Sequence, residues 1–205
     1  MIERLLIAAL LTGCAAPDFP APDFPAPDTL ELAGAPLAAA WSQGPDGVIR
    51  VAGSPAGFVA TRATYTNYRL VLDWRWPGAA GNAGVLLHVA SSAKDGVWPV
   101  SIQAQTKHGF GGDILPMAGA GFAEALTTAP GAYPPIKAHI RGDSERPVGE
   151  WNHLEIVSRD GAIDVSVNGV LQNRITGANP RAGRIGFQLE GTPYELRNVR
   201  LTPLR

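Results

Sequence analysis

The alternation of apolar and polar side chains is clearest in Arg69-Leu70-Val71-Leu72-Asp73-Trp74-Arg75-Trp76. Successive side chains of a β-strand point to opposite faces of a sheet, so a period of two marks a strand with one buried face. The even-numbered leucines and tryptophans of this stretch therefore share one face, and Asp73 and Arg75 share the other. The stretch predicts a long strand that packs its tryptophan side against a core.

The same period continues toward the C-terminus, interrupted by turn sequences. Asp160-Gly161 and Asn168-Gly169 favour hairpin turns with positive φ, so residues 154–159, 163–167 and 170–175 predict a three-stranded meander. No amphipathic helix of ordinary length appears between the alternating runs. Many short strands joined by tight turns predict an all-β fold, either a sandwich, a jelly roll or a barrel.

Residues 85–89 form another alternating run, nearer the N-terminus. Val85, Leu87 and Val89 are expected on one face of the strand, and Leu86 and His88 on the other. The stretch from about residue 109 to 147 is rich in Gly and Pro and lacks such a period. A loop of that length inside a compact domain is often functional.

Composition excludes several classes of protein. The 205 residues carry a formal net charge of −1, which gives no general attraction to nucleic acid. The single cysteine, Cys14, excludes an internal disulfide and a metal cluster built on thiolates. The sequence also lacks the Gly-x-Ser-x-Gly motif of serine hydrolases and a Gly-rich phosphate loop in a strand–helix context.

The N-terminal residues have the pattern of an export signal. A short apolar run behind Arg4 leads to Leu11-Thr12-Gly13-Cys14, which resembles the bacterial lipoprotein box. Residues 1–13 are therefore predicted to be a signal peptide, and Cys14 the lipidated residue; the alternative is a buried N-terminal helix with an inert cysteine. The resemblance and Ala15 imply a cell-envelope protein, lipid-anchored in the outer membrane, with the periplasmic or surface face left open.

A proline-rich repeat follows the cysteine. The segment Ala16-Pro17-Asp18-Phe19-Pro20 recurs at residues 21–25, and a third copy begins at Ala26. Proline at this density fixes φ and removes backbone donors, so an extended, semi-rigid spacer is expected. Residues 14–28 are thus predicted to form a tether, and residues 29–205 the folded domain.

An ordered set of short motifs resembles a known family over about residues 38–205. The motifs that carry the resemblance are Asp73-Trp74-Arg75, Gly81-Asn82-Ala83-Gly84-Val85, Trp98-Pro99-Val100-Ser101-Ile102-Gln103-Ala104-Gln105, Gly112-Asp113, Gly149-Glu150-Trp151-Asn152, Glu155, Val167-Asn168-Gly169, Gly183-Arg184-Ile185-Gly186-Phe187-Gln188 and Arg197-Asn198-Val199-Arg200-Leu201. The family that they resemble is the bacterial 3-keto-disaccharide hydrolase domain, also described as a 3-keto-glucoside 1,2-lyase and hydratase domain.

The resemblance implies a concanavalin A-like jelly-roll β-sandwich of two antiparallel sheets, one of which holds sugar. It also implies an enzyme that cleaves 3-keto-glycosides, by hydrolysis or by removal of the C2 proton, 1,2-elimination and hydration. The sequence departs from the pattern at Gln103, where many members carry Glu, and at Ala83, where the family has Ser. Glutamine cannot replace a carboxylate as a general acid or base.

Four residues are candidate catalytic groups under this hypothesis. His88 titrates near neutral pH and suits a base, although a lone histidine in a strand is more often structural. Asp113 and His108 are alternative bases on or near loops, and His139 is a further one. Their spacing matches no metal motif, so no metal site is predicted and no cofactor is required, with a divalent cation left open.

Six residues are predicted to bind the sugar. Amide side chains suit sugar hydroxyls because each offers a donor and an acceptor, and aromatic rings stack on the apolar faces of sugars. For each residue the competing interpretation is structural: a solvated sheet face, or packing for the aromatic residue. The six are Asp73, Arg75, Trp98, Gln103, Gln105 and Lys107.

Three functions remain open from the sequence. The first is the exported 3-keto-glycoside hydrolase or lyase, acting on a small-molecule sugar or glycan. The second is a non-catalytic glycan-binding module on the same fold, because fold does not fix function. The third is a structural envelope protein without a small ligand. In each case the membrane contact is made by the lipid anchor alone, and no nucleic acid is bound.

Overall fold

The computed structural model describes residues 30–32 and 35–205, so the predicted signal peptide, the lipidated Cys14 and the tether lie outside the described residues and stay predictions. The regular secondary structure of the described chain is all strand apart from one short 3-10 helix at Leu37–Ala39. The strands are β1 (Leu30–Leu32), β2 (Trp41–Gln43), β3 (Ile49–Val51), β4 (Gly57–Thr61), β5 (Tyr68–Arg75), β6 (Gly84–Val89), β7 (Ala93–Asp95), β8 (Trp98–Pro99), β9 (Ser101–Gln105), β10 (Ile114–Met117), β11 (Asn152–Arg159), β12 (Ala162–Val167), β13 (Val170–Ile175), β14 (Arg184–Leu189) and β15 (Tyr194–Pro203).

Two antiparallel sheets form the sandwich. The six-stranded sheet has the order β1-β4-β14-β6-β9-β10, and the seven-stranded sheet has the order β13-β12-β11-β5-β15-β3-β2. Strands β7 and β8 pair as a separate hairpin between β6 and β9. The all-β sandwich of two antiparallel sheets is therefore confirmed. No helix among the described residues is long and apolar enough to cross a bilayer.

The core lies between the two sheets and is centred on β5. Leu70, Leu72, Trp74 and Trp76 are each about 1 % exposed, and the side chains between them point away from the core. Burying one such large side chain contributes roughly 1.5–3 kcal/mol, so this strand alone supplies much of the stability. The prediction from alternation is confirmed here.

The predicted meander is also confirmed. Strands β11, β12 and β13 pair antiparallel in sequence order. Asp160 and Asn168 adopt φ of 52° and 51°, followed by Gly161 and Gly169 at 81° and 80°. These are the positive φ values that two-residue hairpin turns require.

Strand β6 departs from the expected alternation at its end. The pairing of β6 with β14 shifts register between Arg184 and Gly186, and His88 adopts a φ of 54°. A bulge of this kind inserts one extra residue and reverses the phase of the side chains beyond it. His88 consequently points into the core, and Val89 joins Leu86 on the outer face. The expectation that His88 and Leu86 share a face is wrong for this reason.

The Gly- and Pro-rich stretch closes one edge of the sandwich. Lys137 pairs with Ile114 of β10, and the N–H of Ile140 donates to the carbonyl oxygen of Gln172 in β13. The segment therefore bridges the edge strands of both sheets. This edge, together with the outer face of the six-stranded sheet, holds the polar groups described next.

Candidate active site

Three glutamines occupy the outer face of the six-stranded sheet and are called the glutamine cluster: Gln103 and Gln105 on β9, and Gln188 on β14. They are 2, 5 and 3 % exposed. Gln103 Nε2 donates to Gln105 Oε1 at 2.5 Å and to Gln188 Oε1 at 3.1 Å. The cluster thus presents linked amides in a site from which water is largely excluded.

Two features of the cluster favour a ligand with hydroxyl groups. Gln103 Oε1 is buried and has no hydrogen-bond partner among the described residues. An unpaired buried acceptor costs about 1–3 kcal/mol, which a donated hydroxyl would recover. Gly84 lies between β14 and β9, and a Cβ added there would meet Gln103 Cγ and Nε2 at 2.7 Å. The glycine therefore makes the space in which the Gln103 amide reaches Gln188.

A charged group lies at the end of the same face, where β14 and β9 finish. Asn82 Nδ2 donates to Glu190 Oε2 at 2.8 Å. Partial burial raises the pKa of Glu190, while the Asn82 hydrogen bond and the positive charge of Lys107 act against that rise. Glu190 and Lys107 are exposed, so this end of the face is open to solvent.

A histidine–aspartate pair borders the glutamine cluster on its β10 side. Pairing of Ile114 with Ala104 sets the register, and the N–H of Gln105 donates to the carbonyl oxygen of Asp113. Asp113 therefore lies across from Gln105 on the outer face. Asp113 Oδ1 accepts from His139 Nδ1 at 2.6 Å and from the His139 backbone N–H at 2.8 Å.

This pairing leaves one nitrogen of His139 available. The Asp113 side chain is 3 % exposed and that of His139 is 20 % exposed. A carboxylate that accepts from Nδ1 fixes the imidazole tautomer with Nε2 as the acceptor, as in the orienting pairs of hydrolases. No described residue bonds His139 Nε2, so it is positioned to accept a proton from a ligand.

The structure does not bring the other two predicted histidines to this site. His88 is 0 % exposed, donates from Nδ1 to the Pro180 carbonyl oxygen at 2.9 Å and contacts the Ser158 hydroxyl at 3.1 Å through Nε2. Burial lowers the pKa of His88, against the hydrogen bond to Pro180. Both ring nitrogens are therefore used inside the core, away from any ligand.

His108 is turned away from the glutamine cluster. Its Nδ1 lies 3.0 Å from Glu145 Oε1, and the N–H of Gly109 donates to Glu145 Oε2 at 2.7 Å. Burial raises the pKa of Glu145, while the bonds from Gly109 and His108 oppose that rise. The pair anchors the segment after β9 to the loop before β11 and has no contact with the glutamines.

The structure does not bring Asp73 and Arg75 together with the glutamine cluster. Both lie on the outer face of the seven-stranded sheet, on the opposite side of the sandwich from the glutamine cluster. Asp73 accepts from His153 at 2.9 Å, from Asn198 at 2.8 Å and from Arg197 at 3.1 Å. Burial would raise the pKa of Asp73, but these hydrogen bonds outweigh it and lower the pKa.

Arg75 is likewise held within that opposite face. Its Nε lies 2.6 Å from Glu195 Oε2, and its guanidinium lies 4.5 Å from the ring centre of Trp151. Arg197 covers the same ring at 4.2 Å. Strand alternation correctly separated these residues from the core. It could not tell which sheet they belong to, because that depends on long-range pairing.

Trp98 lies on the β7–β8 hairpin, paired with Asp95 and half-buried, beside the site but not on the sheet face. Lys107 is on the face, with its ammonium 4.9 Å from the ring centre of Phe110.

Gln188 and Glu190 were missed as candidates. Their signal was present, since both alternate with the buried Phe187 and Leu189 and so share one outward face.

No three His, Cys, Asp or Glu side chains within residues 30–32 and 35–205 are placed to hold a metal ion. The predicted sugar ligands Gln103, Gln105 and Lys107 and the predicted acid–base group Asp113 therefore share one face. The sugar-binding and acid–base roles predicted for these residues stay predictions.

The sequence profile of the 3-keto-alpha-glucoside-1,2-lyase-like domain matches residues 32–202, which is nearly all of the described chain. The chain belongs to this family. Family membership supports a carbohydrate-active role of hydrolase or lyase type. The match includes the strands that carry the glutamine cluster and the Asp113–His139 pair. No functionally curated protein matches the chain.

Solved structures agree on the fold of this family member. Two proteins of Parabacteroides distasonis, provisionally named glycosyl hydrolases, superpose with TM-scores of 0.60 and 0.61 at 22 % and 18 % identity. The matches cover 80 % and 86 % of this chain, and 84 % and 94 % of those chains. The carbohydrate-binding module CBM66 of Bacillus subtilis superposes with a TM-score of 0.55 at 12 % identity, over 78 % of this chain and 89 % of its own. At these identities the likeness is one of fold, and it confirms the jelly-roll sandwich.

Proposed function

We propose that the protein cleaves glycosides of 3-keto sugars, with the keto ring bound against the glutamine cluster and His139 as the base. The observation that carries the proposal is the Asp113–His139 pair. It provides an oriented imidazole whose Nε2 has no described partner, held by the residue that lies across from Gln105 of the buried cluster, and such amides suit sugar hydroxyls. Family membership supports the choice of a 3-keto sugar as the substrate class. Ordinary glycosidases need two carboxylates flanking the bond, and this face has Glu190 with no second free carboxylate paired to it among the described residues.

The proposed reaction balances without a cofactor. His139 Nε2 takes the proton from C2, which the C3 ketone acidifies, and the electron pair of the C2–H bond forms an enolate. Lys107, on the same face, stabilises the enolate oxygen. The enolate then expels the C1 oxygen as a C1=C2 double bond forms, and His139 returns its proton to the departing oxygen. Water adds across the double bond, with hydroxyl to C1 and hydrogen to C2.

Proton NMR in deuterium oxide tests this route. We expect the purified protein to release the aglycone from a 3-keto-glucoside and to place solvent deuterium at C2 of the released sugar at early times. Elimination removes the C2 proton and hydration replaces it from solvent, whereas direct hydrolysis leaves the C2–H bond intact. Release without deuterium at C2 would contradict the elimination. A parallel sample without protein corrects for spontaneous exchange beside the ketone.

A second candidate function is a glycan-binding module without catalysis. It is favoured by Gln103, a neutral amide at the centre of the cluster where many family members carry Glu. The substitution Gln103→Glu separates the two functions. If His139 is the base, the carboxylate breaks both hydrogen bonds donated by Gln103, so we expect a loss of about 1–3 kcal/mol in unfolding free energy and no gain in turnover.

The measurements are urea unfolding and aglycone release, with Gln103→Leu as the control that removes the same bonds without adding charge. Turnover that appears only in Gln103→Glu would contradict the proposal. It would show a site that lost its acid–base group and retained binding.

A further inference from the structure

A groove separate from the glutamine cluster opens beside β10. Its volume is about 500 Å³, and its walls come from the β7–β8 hairpin, the end of β10 and the loop at residues 131–135. Volumes of this size are typical of small-molecule sites. The groove is lined by two charged side chains, a thioether and a phenol: Lys94, Asp95, Met117 and Tyr133.

Tyr133 presents an aromatic ring to solvent in this groove. It is 69 % exposed, which is high for so large an apolar side chain, and its hydroxyl donates to Asp95 Oδ2 at 3.1 Å. That bond, together with the neighbouring Pro134, restrains the ring. A restrained, exposed tyrosine ring can cover the apolar face of a sugar at little cost in conformational entropy.

The groove also offers hydrogen-bonding groups. No described residue bonds the Lys94 ammonium, so its donors are open to a ligand. The Asp95 carboxylate, which accepts from the Tyr133 hydroxyl, also lines the groove and supplies acceptors. Donors and acceptors around an aromatic ring are the combination that suits a polyhydroxylated ring.

The groove adjoins the glutamine cluster. Met117 of β10 pairs with Ser101 of β9, two residues before Gln103. Partial burial, the bond to Asp95 and the negative charges of Asp95 and Glu190 raise the pKa of Tyr133. Met117 therefore brings the groove to β10, whose partner strand β9 carries Gln103 and Gln105.

We infer that this groove is a second sugar subsite, which binds the leaving-group ring of a 3-keto-disaccharide by stacking on Tyr133 and hydrogen bonding to Lys94 and Asp95. The inference rests on the proposed function for the identity of the first ring. It locates the second ring in this groove, so changes to the groove are expected to affect a disaccharide and to spare a glycoside with a small aglycone.

The test compares a 3-keto-disaccharide with methyl 3-keto-α-glucoside. For Tyr133→Ala we expect kcat/KM to fall about 10-fold for the disaccharide, mainly through KM, and less than 2-fold for the methyl glycoside. Tyr133→Phe keeps the aromatic ring and should therefore retain most of the preference for the disaccharide over the methyl glycoside. Val170 is an exposed apolar residue on the edge strand β13, and Val170→Ala is the matched control. It should leave kcat/KM unchanged for both substrates.

Dissociation constants measured by NMR titration on the His139→Ala variant separate this inference from the proposed function. If wild-type protein cleaves neither substrate, but Tyr133→Ala in that background still weakens only the disaccharide, the subsite is supported and the proposed reaction is not. If Tyr133→Ala weakens both ligands equally, or neither, the subsite is refuted whatever the turnover.

Discussion

Replacement of His139 with Ala is expected to lower kcat/KM for a 3-keto-glycoside by about 100- to 10,000-fold, the usual contribution of a positioned acid–base group. The Nδ1 of His139 is fixed by the buried carboxylate of Asp113, and its Nε2 has no hydrogen-bond partner among the described residues. Steady-state release of the aglycone measures the loss. The fall should lie in kcat, because the glutamine cluster that binds the ring is untouched.

Two further variants show whether the loss reflects proton transfer. Asp113→Asn keeps the shape of the pair but no longer fixes Nε2 as the acceptor, so we expect kcat to fall with little change in KM. Glu190→Gln removes a second carboxylate of this face, one that is not paired with a histidine. A large fall in kcat for Glu190→Gln, with His139→Ala nearly as active as wild type, would assign the base to Glu190 and contradict the role given to His139.

Replacement of His88 with Ala is expected to lower the free energy of unfolding by about 2–4 kcal/mol. The ring is fully buried, and its loss removes bonds to Pro180 and Ser158, an edge contact with Tyr68 at 5.8 Å, and the volume of the ring itself. Urea unfolding at pH 7.5 measures the change. Ser158→Ala is the matched variant, which removes one partner and keeps the ring, and it should cost about 1 kcal/mol.

The pH dependence of stability gives an independent check on His88. Burial lowers the pKa of His88 in the folded state, so the unfolded chain binds a proton near its ordinary pKa of about 6.5 while the folded chain does not. This contribution is complete above that pH and is lost as the pH falls from it toward the folded pKa. We expect His88→Ala to have a flatter stability profile in that window. Unchanged stability with a loss of kcat would instead restore His88 as a catalytic candidate.

The site was predicted in part, and the errors have a common origin. The glutamines were found because Gln103 and Gln105 alternate with the core residues Ile102 and Ala104. His88 was misplaced because a bulge leaves little trace in the sequence, and one inserted residue reverses the phase of a strand. Asp113 was predicted to be a base on a loop. In the proposed site it instead orients His139, and the two residues come into contact only when the loop folds.

Local periodicity and ordered motifs were enough to predict the central strands, the tight turns of the meander, the buried face of β5 and the family. The sheet to which each polar face belongs follows from tertiary structure alone. Asp73 and Gln103 read alike as outward residues of amphipathic strands, yet they lie on opposite sides of the sandwich. Strand pairing joins residues far apart in the chain, such as Gln103 and Gln188, and no local pattern encodes such a partner.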